Sequence, residues 1–546
     1  MTVTWRMSGS AAVGLALLPA MAMMAVGGHA ATFETDNWRG YWDNTLTYNL
    51  GFRMRDVDDK IGNDPNYDES DYKFKDRGDV VTNRVNLLTE LGGTYNDRLS
   101  MRLSAQGWHD FAYDDDVESN PDLAAAPNAY PSGEYSGGVK NEYISGGRLL
   151  DAFVQYSDLI GGRAYTARVG RNTQYWGNGL FFPMQSISYS QGAVDGIAGA
   201  ASPGTPAKAL FIPRNQVNLS TQVTSSVNIG MQYFLERAEN ILPQGGTYLG
   251  AADFLFTGPE SMLGIPRGST RRADEIADNF GVNLGWQATP GTTVGFYYRR
   301  LDEVQPWAPL IKLDGSAPSY FLSYNQGVDL FGISVDMPLG NSSLGLEVSY
   351  RDGTALNSTP NVMADDPERG ATGNIVNVLA NVLVPLGTTP FYETGTLTAE
   401  LAHTRVLSVD GTNKSLYNGE GYQGCAGDKW DGCSTRSATA LALSFTPEWI
   451  QTFPGVDMSM PTSITAGLKG NPGVLGGTAQ GSYKFSIGLQ AKYRSIHTLK
   501  VEYIGSRAHT GDTIVNDFGL TQYAGGNGPY MLNDRDWISI TAQTLF

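Results

Sequence analysis

The sequence is poor in the residues that most often carry catalysis or hold a metal. It contains two cysteines and five histidines in 546 residues. The histidines beyond residue 30 form no metal-binding pair at helical spacing, and no Gly-x-Ser-x-Gly elbow occurs. We therefore expect no metal site, no cofactor and no enzymatic activity. A catalytic triad built from residues on distant strands remains an alternative, because the residues of such a site are close in space and not in sequence.

Positive charge and long apolar runs are also scarce. Lys and Arg number 38 against 55 Asp and Glu, and the resulting net charge of −17 excludes recruitment to nucleic acid through bulk charge. The one long apolar run lies at residues 7–26, after Arg6 and before the small residues Gly28 and Ala30. This pattern predicts a secretory signal peptide over residues 1–30, and Pro19 argues against a retained anchor. No later run reaches the roughly 18 apolar residues of a membrane helix.

The two cysteines lie close together in the sequence. Cys425 and Cys433 have seven residues between them, in a segment rich in Gly and Asp. In an exported protein this spacing predicts one disulfide that closes a small loop and stabilises the fold by roughly 2–3 kcal/mol. A zinc site would need further ligands, and no histidine is near in sequence.

Apolar side chains alternate with polar or small ones, with a period of two, in several parts of the sequence. Residues 482–493 place apolar side chains at odd positions and polar or small side chains at even positions. Residues 344–351 and 227–235 alternate in a similar way. Together with 66 glycines and 28 tyrosines, this pattern predicts an all-β chain whose strands have one apolar and one wet face.

The connections between these strands alternate in length. Eight short turns and nine long connections imply roughly 18 strands (16–20), with both chain ends on the short-turn side. A soluble sandwich has no reason to segregate loop length in this way. The chain ends on Phe546 and resembles there the closing strand of bacterial outer-membrane proteins, which the barrel assembly machinery reads. We therefore predict a transmembrane antiparallel outer-membrane β-barrel over residues 31–546, closed by residues 38–52 against residues 535–546.

Several segments resemble a known family in their order along the chain. They are residues 81–91, residues 148–154, Arg168-Val-Gly-Arg171 with Trp176-Gly177, and Leu242-Pro-x-x-Gly-Thr-Tyr248 with Asp253-Phe254. The family is the proteobacterial outer-membrane family catalogued as a domain of unknown function, number thirteen-oh-two.

The resemblance implies a barrel in the Gram-negative outer membrane, in contact with its lipids and lipopolysaccharide and without assigned chemistry. Members are often encoded beside a periplasmic family resembling lipoprotein-localisation carriers and beside exporters of the resistance-nodulation-division (RND) type. The resemblance thus implies a lipid-carrier-like protein and an RND-type exporter as partners. The family pattern carries a cysteine where Gln244 or Gly245 stands here, so any disulfide pinning that loop is absent.

One long connection is unusually apolar. Residues 181–213 hold many large aliphatic and aromatic side chains, and residues 241–265 repeat this character. Because exposing such loops to water would be costly, we expect both to fold into or over the lumen, with Arg171 and Trp176 near the external rim. The expected lumen or constriction residues are Arg102, Arg171, Trp176, Phe181, Phe182, Phe211, Glu347, Lys484 and Lys492.

The charged residues of the wet faces allow two interpretations. They carry both signs, and besides those just named they include Arg299, Glu400, Lys500 and Glu502. They either only solvate an aqueous lumen or form a transverse field that binds a polar head group. The acidic segment 114–118 is predicted to be a solvated external loop, since its spacing fits no known calcium-binding motif.

Three functions follow as hypotheses. The first is an outer-membrane channel for hydrophobic or amphipathic, lipid-like molecules, whose inward loops offer an apolar surface. The second is a general porin for small polar solutes, narrowed by the same loop. The third is a surface-binding scaffold whose barrel is inert.

Overall fold

The wall of the protein is one antiparallel β-sheet that closes on itself. The computed structural model describes residues 31–201, 207–272, 278–314, 317–360 and 364–546. Within these ranges the large sheet has 20 segments. Ala31–Glu34 only extends an edge, and Val456–Ser459 and Thr462–Lys469 form a single wall strand, since both pair with the same two neighbours. The barrel therefore has 18 wall strands, as the alternating connections predict.

The wall strands are numbered in chain order. They are β1 (Trp38–Arg53), β2 (Val80–Tyr95), β3 (Leu99–Asp110), β4 (Ser145–Ile160), β5 (Arg163–Asn172), β6 (Arg214–Thr224), β7 (Val227–Phe234), β8 (Phe280–Thr289), β9 (Thr292–Leu301), β10 (Val328–Leu339), β11 (Ser342–Ala355), β12 (Thr372–Leu386), β13 (Thr394–Val409), β14 (Ser437–Phe453), β15 (Val456–Ser459 and Thr462–Lys469), β16 (Tyr483–Tyr493), β17 (His497–Arg507) and β18 (Trp537–Leu545).

The barrel closes between its first and last strands. β1 pairs with β18 in antiparallel register from Thr45↔Leu545 to Arg53↔Trp537. Asn44 and Phe546 then exchange two backbone hydrogen bonds of 2.7 and 3.0 Å. Below that point Ala31–Glu34 pairs with the edge of β1 that β18 does not reach. Closure of this kind satisfies backbone groups that lipid cannot.

The two faces of the wall separate as the alternation predicts. Met231, Val348 and Leu489 are exposed on the outer face, whereas Gln232 and Glu347 are buried inside. Tyr483 and Tyr493, at the two ends of β16, are exposed. The segment 376–383, whose pattern also fits a helix, lies within β12.

Nine long connections emerge at one end of the barrel and eight short turns at the other. The turn expected at residues 447–455 is shorter, because β14 continues to Phe453. Long connections mark the external side. They are named L1 (54–79), L2 (111–144), L3 (173–213), L4 (235–279), L5 (302–327), L6 (356–371), L7 (410–436), L8 (470–482) and L9 (508–536).

The connections contain only short elements. None of the helices in the described ranges has the length and apolarity needed to cross a membrane. The helices are Asp59–Gly62, Asp68–Tyr72, Pro121–Leu123, Gly137–Val139, Lys140–Ile144, Gly196–Ala201, Ala207–Leu210, Lys414–Leu416, Lys429–Asp431 and Tyr530–Leu532. The paired short strands are Ala193–Val194 with Phe211–Ile212, Ser261–Met262 with Ile265–Pro266, Leu310–Asp314 with Ala317–Phe321, His509–Thr510 with Gly526–Asn527, and Thr513–Val515 with Thr521–Tyr523.

Candidate functional site

L3 lies inside the barrel. Its residues Trp176, Ile187 and Tyr189 are buried together with wall residues Leu301 and Leu330 of β9 and β10. The apolar composition of this loop thus has a direct physical use, because these side chains pack against the inner wall instead of facing water.

Two wall carboxylates bind the backbone of L3. Glu347 of β11 accepts hydrogen bonds from the amides of Asn178, of Gly179 at 3.0 Å and of Ile187 at 2.9 Å. Glu400 of β13 accepts from three consecutive amides, at 2.7 Å from Leu180 and 2.9 Å from both Phe181 and Phe182. Hydrogen bonds to an ionised acceptor are the strong ones, so these two residues fix residues 178–182 on the wall.

Two wall arginines bind the carbonyls of the same loop. The Arg299 Nη1 donates to the carbonyl oxygens of Ile187 at 2.9 Å and Tyr189 at 2.6 Å. The Arg351 Nη2 donates to the Met184 carbonyl at 2.9 Å, and its guanidinium lies 3.8 Å from the centre of the Tyr189 ring. L3 is therefore held along its backbone by glutamates on one row of the wall and by arginines on another.

L3 also spans the lumen. Beyond the segment held by Glu347 and Glu400, Lys208 forms an ion pair with Glu90 of β2. β2 lies nine strands from β11 in a barrel of 18, on the opposite side. Glu90 and Glu347 are each the sixth residue from the periplasmic end of their strands. L3 thus lies deep in the lumen, because the wall glutamates that bind it are in the periplasmic half of the barrel.

The aromatic residues predicted to line a constriction occupy different places in L3. Phe182 is buried against Leu379, Ala402 and neighbouring alanines of the inner wall, and Phe181 packs at the edge of that cluster. The Phe211 ring lies 4.9 Å from the Tyr175 ring. Leu180, whose amide Glu400 binds, is 51% exposed and presents its side chain to the lumen. The sequence reasoning did not single it out.

Two predicted lumen arginines differ in position. Arg102 lies on the inner wall and forms ion pairs with Glu90 and, at 3.2 Å, with Asp151. Arg171 shares the face of the exposed Val169 and pairs with Glu236 at 2.6 Å, so it lies on the outward face of the external rim. Alternation alone does not say which of two faces is the lumen, and the prediction for Arg171 was wrong for that reason.

A cavity of about 400 Å³ lies between L3, L4, L8 and L9 and the inner wall of β15 to β18. Its lining is mostly apolar, with Leu249, Ile504, Leu532 and Trp537 among the residues that form it. Lys484 of β16 also lines it. A cavity of this size suits a small organic molecule.

The ammonium group of Lys484 has no ion-pair partner among the residues described. Glu502 acts on it electrostatically, but the carboxylate of Glu502 binds Lys500 at 2.8 Å. Lys492 lies on the same face of β16 near the periplasmic end, opposite Asp457. One side of the lumen therefore carries three lysines along its height.

L2 and L4 form a cap over the external end. Four tyrosines of L2 bind the Gly-Gly-Thr-Tyr segment of L4: the hydroxyl groups of Tyr130 and Tyr135 donate to the carbonyls of Gly245 at 2.6 Å and Gly246 at 2.7 Å. The other two are Tyr113 and Tyr143, which contact Tyr248 and Thr247. Sequence reasoning missed these tyrosines because it considered only the acidic residues of L2.

Buried charges link this cap to L1 and L9. One carboxylate oxygen of Asp71 in L1, Oδ1, forms ion pairs with both Arg53, at 3.2 Å, and Arg535, at 2.9 Å. Asp534 binds Arg53 at 3.0 Å. All four side chains are buried, and Arg535 also donates to two carbonyls of L4.

A second buried acidic group in the cap, Glu69 with Asp68 and Asp253, forms no ion pair with any described residue. Glu69 accepts from the amides of Ala129 and Tyr130, and Asp253 accepts from the amides of Glu69 and Ser70. Burial, with Asp68 beside it, raises the pKa of the Glu69 carboxyl from 4.5 to about 8. Burial and the charges of Glu69 and Asp68 likewise raise the pKa of Asp253, against the weaker opposing effect of Arg535.

The folded cap should therefore be more stable at acidic pH. The folded cap binds the Glu69 proton more strongly than the unfolded loop does, so stability is greatest below about pH 4.5 and is lost as pH rises through about 8. Hydrogen exchange of amides 245–253, corrected for the intrinsic rate, should be slower at pH 5 than at pH 8.5. Glu69→Gln should remove most of that difference. Equal pH dependence in wild type and variant would contradict the assignment.

The remaining predicted features lie in the loops. Cys425 and Cys433 form a disulfide in L7, with their Cα atoms 5.8 Å apart. Within the acidic segment 114–118, Asp114 pairs with Lys73 and Asp115 pairs with Lys140. In the part of the chain that the structure describes, no three His, Cys, Asp or Glu residues are grouped so as to hold a metal ion. The predicted signal peptide, residues 1–30, lies outside the described residues.

The closed wall and the loop that crosses its lumen define a porin-like transmembrane β-barrel. The family model described as "Protein of unknown function (DUF1302)" matches residues 6–546. The chain belongs to that family, as the motif order predicted.

Solved structures and curated sequences add little to this assignment. Acinetobacter baumannii OccAB2 is similar with 11% identity and a TM-score of 0.43, over 92% of this chain and 98% of its own. Acinetobacter baumannii OccAB1 is similar with 10% identity and a TM-score of 0.41, over 92% of this chain and 96% of its own. Pseudomonas aeruginosa OccK1 is similar with 8% identity and a TM-score of 0.39, over 92% of this chain and 98% of its own. No curated protein matches the sequence.

Proposed function

We propose that the protein is a channel in the Gram-negative outer membrane that passes small amphipathic molecules with a negatively charged end. The observation that carries this proposal is the 400 Å³ cavity inside the barrel, which is apolar along most of its lining. Its wall includes the ammonium group of Lys484, which forms no ion pair with any described residue. An acyl or aryl body fits the apolar part, and a carboxylate or phosphate end fits the lysine.

The rest of the lumen is consistent with such cargo. L3 narrows the side of the lumen opposite the cavity. Its exposed residue Leu180 presents an aliphatic side chain inside the barrel. Toward the periplasmic end the same side of the wall carries Lys500, which is paired with Glu502 at 2.8 Å, and Lys492, which lies opposite Asp457. A polar constriction would suffice for a sieve of hydrophilic solutes, so the apolar surfaces favour an amphipathic solute over a sugar-like one. On the family resemblance, the proposed partners are a periplasmic lipid-carrier-like protein and an RND-type exporter.

Lys484→Gln should weaken the binding of an anionic amphiphile. With the protein in a planar bilayer, octanoate should block the ion current of the wild type at lower concentration than the uncharged octanamide does. The substitution removes one charge-assisted contact, so the blocking concentration of octanoate should rise about tenfold while that of octanamide stays the same. Lys492→Gln is the matched control, because it makes the same change on the same face of β16 outside the cavity.

Two results would overturn the proposal. Large, stable, ohmic single-channel current steps that octanoate does not block would identify a general porin. A protein that conducts nothing and carries no solute into liposomes, while its loops bind a partner, would identify a scaffold.

A further inference from the structure

Four neighbouring strands have no aromatic ring on the outer face near the external end of the wall. On one side of them the rings of Tyr298, Phe331 and Tyr350 follow one another across β9, β10 and β11, with centres 5.1 and 6.4 Å apart. On the other side Phe485 of β16 lies 6.0 Å from Tyr503 of β17. The external halves of β12 to β15 contain no Phe, Tyr or Trp. Since aromatic rings anchor a barrel at the lipid head groups, a different contact is needed over these four strands.

An outward arginine takes the place of the next ring. Arg405 of β13 is exposed, and it lies on the same face as the exposed Leu401 and Leu407. In the strand register Tyr350 pairs with Val376 of β12, and Val376 pairs with Arg405. Arg405 therefore lies in the same row as the three rings and at the level of the aromatic belt.

An outward lysine lies close to this arginine. Lys469, the last residue of β15, is exposed and pairs with Thr439 of β14, whose neighbour Ala440 is buried on the inner side. Arg405 pairs with Ser437, two positions from Thr439 on the same strand and the same face. Neighbouring strands lie about 4.8 Å apart and residues rise about 3.4 Å along a strand, so the two Cα atoms are about 12 Å apart. Both long side chains can reach one group that lies over β14.

Neither cation is neutralised by the protein. Among the described residues Arg405 and Lys469 form no ion pair, although acidic residues outnumber basic ones 55 to 38 in the sequence. Asp410, just beyond the external end of β13, accepts a hydrogen bond from the Thr372 hydroxyl at 2.7 Å instead. A cation on the lipid face of a barrel is destabilising unless it lies at the interface, where anionic head groups are within reach.

We infer that Arg405 and Lys469 bind a phosphate group of lipid A, the lipid part of lipopolysaccharide, on the outer surface of the barrel. The guanidinium donates in parallel to two phosphate oxygens, and the ammonium adds a second positive charge. The hydroxyl of Ser437, on the strand between them, is a further donor. The family resemblance implies contact with lipopolysaccharide only in general, whereas these residues form a particular site. It faces away from the Lys484 cavity, so it is independent of the proposed cargo.

Native mass spectrometry of the purified full chain in detergent, titrated with lipid A, tests the inference. The wild type should retain a lipid A molecule, and lipid A without its phosphate groups should bind much more weakly. Arg405→Gln combined with Lys469→Gln should weaken the binding of phosphorylated lipid A about thirtyfold, because each cation near an anionic lipid contributes about fivefold. Arg405→Lys alone should retain most of the binding, since the charge stays in place.

The matched control is Arg163→Gln combined with Arg494→Gln, which removes two exposed cations from the periplasmic end of the wall. It should bind lipid A as the wild type does, and the heat-dependent gel migration of every variant should show a folded barrel. No retained lipid A, equal binding of the lipid without phosphates, or an equal loss in the control would each overturn the inference. An oligomer of the chain that binds no lipid A and dissociates when Arg405 and Lys469 are replaced would also overturn it, and would identify a second copy as the occupant.

Discussion

A chain with both Glu347→Gln and Glu400→Gln should conduct several-fold more current per channel than the wild type. Both oxygens of Glu347 accept backbone amides of L3, and so do both oxygens of Glu400. Glutamine has nearly the same shape but places an NH₂ group at one of these oxygens. Whichever way the amide turns, it presents a donor to a loop donor.

The expected loss is large because the contacts are numerous and buried. The two carboxylates accept six loop amides, and a hydrogen bond to a charged group contributes about 1.5–3 kcal/mol. Without them the hydrogen bonds that hold residues 178–182 on the wall, among the described residues, are those from Asn381 of β12 to the Asn178 carbonyl at 2.7 Å and from the Asn178 side chain to the Val335 carbonyl of β10 at 3.2 Å. L3 should then leave the wall for much of the time and widen the passage. Single-channel recording in a planar bilayer measures the change.

The control for this pair is Glu502→Gln. It removes one carboxylate from the lumen side of the wall, where the double substitution removes two, and that carboxylate binds Lys500 instead of L3. If Glu502→Gln raises conductance as much as the double substitution does, the effect is that of charge on ion flow. Release of L3 would then not be its cause.

Much of the barrel could be predicted from the sequence because the pattern that marks a membrane-spanning strand lies within the strand itself. A strand with lipid on one side must alternate, so Met231 and Gln232 or Val348 and Glu347 reveal their faces without any knowledge of the fold. The regular difference in loop length then gave the strand number and the orientation. The apolar composition of residues 181–213 gave the inward fold of L3, because such a segment needs a wall to cover it.

The arrangement inside the barrel could not be predicted in the same way. Glu347 and Glu400 were read as charges that solvate the lumen or bind a head group, whereas they bind the backbone of a loop that lies some 160 to 220 positions away. Every residue except proline offers the same amide, so the partner leaves no pattern in the sequence. The same holds for Tyr130 and Tyr135, whose acceptors are carbonyls of L4.

Asp71→Ala should open the external cap while leaving the barrel closed. One oxygen of Asp71 joins Arg53 to Arg535, so its loss leaves two buried guanidinium groups with only Asp534 between them. Removing one partner of a buried charge network costs about 3–5 kcal/mol. Amides of L1 and L4 that exchange through opening of the cap should then exchange at least about a hundredfold faster, whereas those of β12 and β13 should not change, because wall strands open only with the whole barrel.

Two further variants separate charge from hydrogen bonding and from burial. Asp71→Asn keeps an oxygen where both arginines bind and removes only the charge, so its effect should fall between wild type and Asp71→Ala. Asp115→Ala removes a partner of Lys140 from an exposed pair and should leave exchange unchanged, since solvent screens such pairs. If Asp71→Ala behaves like Asp115→Ala, the cap is held by the L2 tyrosines and not by its buried charges. If all the amides of the barrel exchange faster together, the cap and the wall form one cooperative unit and the external loops stabilise the closure of β1 on β18.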